Sequence, residues 1–135
     1  MIMRAGLCIS LAVAVASFVI IEARAHHSFA RFDYDKMLTL EGTVKEFQFT
    51  NPHSWIHLMV GDGAAQVEWA VEGGSVNNMV RTGWKKTTLA PGDTITLTLR
   101  PTRDGTKEGS LVGISKINGQ DVSLGDGRLS DKPAE

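Results

Sequence analysis

Thiols are almost absent from this 135-residue chain: its one cysteine, Cys8, lies in an apolar N-terminal stretch. Beyond that stretch there is no disulfide to stabilise a fold and no thiolate to hold a metal. Long apolar runs are missing too, since residues 5–21 fall short of the ~20 residues that comfortably span a bilayer. Charge of one sign is not in excess. Fourteen Lys and Arg stand against 15 Asp and Glu, which excludes a nucleic-acid binder relying on bulk positive charge. The length excludes a multidomain enzyme. Aromatic residues make up only 7%, too few to cover a broad substrate surface.

What is present begins with an export signal. Residues 1–4 are a short basic start, residues 5–21 are apolar apart from Ser10 and Ser17, and Ala23-Arg24-Ala25 offers the small residues read by a signal peptidase. Cleavage after Ala25 is expected, and with it a periplasmic or secreted protein that keeps no stable membrane insertion. An uncleaved N-terminal anchor is the alternative. Cys8 comes too early to be a lipoprotein cysteine. Removing residues 1–25 takes away Arg4, Arg24 and Glu22, leaving 12 basic and 14 acidic residues in a 110-residue chain. Such a chain must stand on its hydrophobic core.

The mature region alternates in strand fashion. Leu38, Leu40 and Val44 begin a first strand that Phe47 and Phe49 continue, with Gly42 expected as a bulge or bend. Ile56, Leu58 and Val60 share one face of a second strand; Trp55, His57 and Met59 share the other. After a tight reversal at Gly61-Asp62-Gly63, Val67, Trp69 and Val71 face inward on a third strand, opposite Gln66, Glu68 and Glu72. The period then changes. Gly73-Gly74 ends the strand, and Ser75 caps a short helix through Arg81 that should bury Val76, Met79 and Val80. Gly83 stops it. Pro91-Gly92 forms a type II turn before a strand with Ile95, Leu97 and Leu99 inward. Asp104-Gly105 turns into residues 111–117, and Asn118-Gly119 is a hairpin turn into Val122 and Leu124.

Three strands, a short helix and two strands is the order of an OB-like five-stranded β-barrel, with its helix between strands 3 and 4. The expected organisation is a signal peptide over residues 1–25, an all-β barrel over 26–125 and a disordered tail over 126–135. A generic antiparallel sandwich is the alternative, because strand order does not prove closure.

All four histidines fall in the mature chain: His26, His27, His53 and His57. Cleavage after Ala25 makes His26 the first residue, whose α-amine and ring nitrogen can chelate one metal. A further imidazole completes three nitrogens suited to Cu(II). His53 is the candidate, because Asn51-Pro52 restrains the loop before it. His27 or Glu72 can assist, Glu72 as a weak ligand or as a carboxylate behind a histidine. Cleavage one residue earlier would place His27 third, another Cu(II) arrangement. Either cut favours copper over zinc. The plainer reading is a turn at Asn-Pro-His and a terminus that binds nothing.

His57, with Trp55 and Met59 on its face, is a possible ligand contact, and its plainer reading is a half-covered strand face. Trp69 is expected in the core and Trp84 at the barrel end, which leaves Trp55 as the one candidate for an exposed stacking surface. Glu72-Gly73-Gly74-Ser75 reads as a strand end and helix cap before it reads as an anion site. No serine or cysteine stands in a recognisable nucleophile elbow. A copper mono-oxygenase using the same chelate would need a broad substrate surface, so the sequence points away from an enzyme.

Several motifs together resemble a family of small secreted bacterial proteins, the domain of unknown function 6152. They are Ala25-His26-His27-Ser28-Phe29, Thr50-Asn51-Pro52-His53 followed by Trp55, Glu72-Gly73-Gly74-Ser75, Gly83-Trp84 and Pro91-Gly92-Asp93. The resemblance covers most of residues 25–125. It implies an exported all-β single domain, with His26, His27, His53 and Glu72 the positions its motifs pick out, and it implies no reaction. His57 stands where an aromatic residue is typical, and Val76 replaces an expected proline. Two readings follow: a copper-binding module, or a non-catalytic adaptor or ligand-binding barrel without metal.

Overall fold

A computed structural model describes residues 30–126. The expected leader, the His26-His27 pair and residues 127–135 lie outside the described residues. Six strands and one short helix follow one another: β1 Leu38–Gln48, β2 Trp55–Val60, β3 Val67–Glu72, α1 Val76–Arg81, β4 Thr94–Pro101, β5 Glu108–Ile117 and β6 Gln120–Gly125. The strands pair in the order β3-β2-β1-β4-β5-β6, and β3 also pairs with β5. That last pairing is parallel, with Val71 beside Gly109 and Glu72 beside Ser110. It closes strands 1 to 5 into a barrel, and β6 is an extra strand on β5. Closure removes the free sheet edges that a sandwich would leave.

Most inward positions are those the alternation predicts; Val67, expected inward, is instead 40% exposed, because β3 begins there beside the exposed turn that precedes it. Ile56, Leu58, Val71, Ile95, Leu97, Leu99 and Leu111 are each at most 1% exposed. Trp84 plugs the barrel end, buried against Phe47 with ring centroids 5.6 Å apart. Its indole Nε1 donates to the Gly125 carbonyl at 2.8 Å, which satisfies the one polar atom of a buried tryptophan. Asn118 and Gly119 take positive φ values of 50° and 79°, the geometry of a type I′ hairpin turn.

Four other local expectations are corrected. The register slip in β1 falls between Val44 and Glu46, not at Gly42. Gly42 answers a different need, because a Cβ there would stand 2.4 Å from the Met59 carbonyl oxygen as β2 crosses β1. Helix α1 buries Met79 alone; Val80 is 54% exposed and Val76 is half-buried. Six residues present too narrow a face to cover three apolar side chains. Between β2 and β3 the chain makes one 3₁₀ turn, Gly63–Ala65, rather than a tight reversal. Finally, Glu72 shares the face of Glu68 but is only 4% exposed, because β2 and β5 flank it and the loops beyond β3 fold over that end. Among the described residues no helix is long and apolar enough to cross a membrane.

Candidate functional site

One end of the barrel gathers three segments far apart in sequence. The β1–β2 loop, Thr50-Asn51-Pro52-His53, turns back on itself: Thr50 Oγ1 donates to the His53 carbonyl at 3.1 Å, and the Asn51–Pro52 peptide is cis. The loop is then stitched to the chain leaving β3. Ser54 N–H donates to the Gly74 carbonyl at 2.9 Å, and Gly73 N–H donates to the Ser54 carbonyl at 2.8 Å. Asn51 Oδ1 accepts the Val76 N–H at 2.9 Å, so a loop side chain satisfies one of the open donors at the start of α1. Ser75 Oγ accepts the Asn78 N–H in the same turn. The third segment is the end of β6: Gly74 N–H donates to the Asp126 carbonyl at 3.1 Å, beside the Trp84 bond to Gly125. A Cβ at Gly73 would stand 3.2 Å from Met79 Sδ, so glycine lets the chain lie close over α1.

This stitching brings His53 and Glu72 together, 3.1 Å from Nδ1 to Oε1. The pair meets the distance of an ion pair without the alignment of a hydrogen bond. Glu72 is buried, with Trp55 beside it on β2 and the fully buried Ser110 beside it on β5. The Nδ1 edge of His53 is shielded while its side chain is 42% exposed. The exposed remainder of the ring carries Nε2. A neutral imidazole so placed presents one outward nitrogen lone pair over an inward carboxylate.

His57 lies four residues along β2 and pairs elsewhere. Its Nδ1 is 2.9 Å from Glu68 Oε1, and Lys45 Nζ is 2.6 Å from Glu68 Oε2. The carboxylate thus bridges β1 and β2 from β3. The Lys45 hydrogen bond, then that of His57, hold the Glu68 carboxyl below the usual glutamate range. Sequence reasoning passed over Lys45 and Glu68. The alternation puts Glu68 on the outer face with His57, but their contact needs the β2–β3 register, which sets Met59 opposite Glu68 and His57 opposite Ala70.

Of the residues singled out from sequence, His53 and Glu72 meet, with Trp55 half-buried beside them, and His57 stands apart with Glu68. His26 and His27 lie outside the described residues. Among the described residues no three His, Cys, Asp or Glu side chains group as they would around a metal ion.

Fold and rim together define a small closed β-barrel that carries a loop-borne imidazole over a buried carboxylate. A family model described as a family of unknown function, DUF6152, matches residues 13–111, and the chain belongs to that family. The match spans every barrel strand through the start of β5 and stops short of β6. Comparison with curated proteins and with solved structures found no match.

Proposed function

We propose that the protein is an exported copper-binding module of the periplasm or cell exterior, in which His53 supplies one ligand nitrogen and Glu72 positions it. The observation that carries the reading is the His53–Glu72 pair. A negative carboxylate 3.1 Å from Nδ1 favours by its charge the tautomer with its proton there, which leaves the Nε2 lone pair for a metal. The described barrel offers this one imidazole at the rim, so the other donors fall to the processed terminus: the α-amine and ring of His26, with His27 in reserve. Nitrogen donors of this kind suit Cu(II), and the chemistry needed is binding rather than turnover.

Mass spectrometry of the exported protein, to fix its first residue, followed by Cu(II) titration of that form, tests the proposal. The expected result is one tightly bound Cu(II) per chain and a large loss of affinity in H53A. One extra residue before His26 should weaken binding just as strongly, because it converts the chelating amine into an amide. Affinity no better than that of a loose His-His peptide would leave the second reading: a ligand-binding barrel that uses the half-exposed Trp55.

A further inference from the structure

The turn between β5 and β6 joins two residues with a specific chemical liability. In an Asn-Gly pair the glycine nitrogen is unhindered and can attack the preceding carboxamide carbon. Asn118 is exposed to solvent, yet its carboxamide is not free to present that carbon. Oδ1 accepts the Thr94 N–H at 2.9 Å, and Nδ2 donates to Asp93 Oδ1 at 2.9 Å. The Asn118 N–H donates to the Thr94 carbonyl at 2.7 Å. Asp93 is held in turn, its Oδ2 accepting the Ala90 N–H at 2.8 Å. Both polar atoms of the carboxamide are therefore engaged by Asp93 and Thr94, at the entry to β4.

We propose that Asn118 is a guarded modification site, protected from deamidation by its clamp to Asp93 and Thr94 and converted when the turn opens. In the reaction the Gly119 nitrogen bonds to Asn118 Cγ, and the Cγ–Nδ2 bond breaks. Nδ2 leaves as ammonia with the proton that the glycine amide gives up. Water then opens the cyclic imide at either carbonyl, to aspartate or to isoaspartate. No oxidant or cofactor takes part.

The product cannot restore the clamp. A carboxylate now faces Asp93 where an N–H donor stood, and like charges at that distance repel. The isoaspartate form also lengthens the backbone within a two-residue turn whose register depends on its length. Opening is thus made one-way. Its effect reaches the candidate site, because the far end of β6 supplies the carbonyls that hold Trp84 and Gly74.

The test follows the acid products at residue 118 by peptide mass spectrometry during incubation of the exported protein near neutral pH. One sample is native and the other is in denaturing urea. Two hydrogen bonds holding the carboxamide predict a native rate about tenfold or more below the denatured rate. Asp93→Ala should raise the native rate toward the denatured one, with its urea midpoint showing that it is folded during the incubation. Asn118→Gln should show no conversion at this position. Equal rates in native and denatured wild-type protein would overturn the proposal, and so would a folded Asp93→Ala that converts no faster than wild type.

Discussion

Two histidine–glutamate pairs join β3 to β2 and to the loop that leads into it. His53, in the loop before β2, meets Glu72 at the barrel end; four residues later in the chain His57, on β2, meets Glu68, four residues before Glu72 on β3. Both contacts run from Nδ1 to a carboxylate oxygen, at 3.1 Å and 2.9 Å. Their surroundings differ. The Glu72 side chain is 6% exposed and that of Glu68 is 37%. Around Glu72 the loops are tied by main-chain hydrogen bonds; around Glu68 the other partner is an exposed lysine side chain. A charge contact weakens as solvent screens it, so the contact to the buried Glu72 is screened less than the contact to Glu68. The chemical groups are the same; the difference lies in burial, in bracing and in alignment, since only the His57–Glu68 contact is aligned as a hydrogen bond.

Three experiments can break or sharpen that contrast, beginning with the largest effect. Trp84 seals the barrel beneath the rim, so Trp84→Ala should cost about 3–5 kcal/mol in urea unfolding. A cost near zero would show that the rim is held from outside the barrel. Next, Glu72→Gln should lower Cu(II) affinity by about 10- to 100-fold, as loss of the carboxylate behind a metal-bound histidine does, whereas Glu68→Gln should leave it unchanged. Equal losses would erase the distinction between the two pairs.

The smallest effect concerns pH. Glu68 has a lowered folded pKa, so its share of stability is present above the usual glutamate range and is lost as pH falls through the lower folded value. Lys45→Ala removes the largest cause of that shift. Urea midpoints measured from neutral pH to below the glutamate range should therefore fall slightly less steeply in Lys45→Ala than in the wild type. A steeper acid loss in the variant would contradict the assignment.

Much of the barrel could be read along the chain because its signals are local. Alternation in β2, β3 and β4 is a property of neighbouring residues, and so are the Ser75 cap and the Asn118-Gly119 turn. The displaced bulge in β1 shows where such reading stops. Glycine marked a place where another strand passes close, and the slip itself came two to four residues later, where β1 is paired with β2. His53 stood out because proline restrains its loop. Lys45 and Glu68 did not, because nothing in their own neighbourhoods differs from an ordinary solvated strand face.

Strand periodicity, turn chemistry and the order of elements were determined by the sequence alone, since each depends on backbone preferences within a few residues. Barrel closure, the burial of Glu72 and the choice of carboxylate for each histidine were decided only in three dimensions. They depend on the parallel joining of β3 to β5 and on the register of β2 against β3. Those contacts link positions that no local preference relates, and it is their packing that takes Glu72 out of water and leaves Glu68 in it.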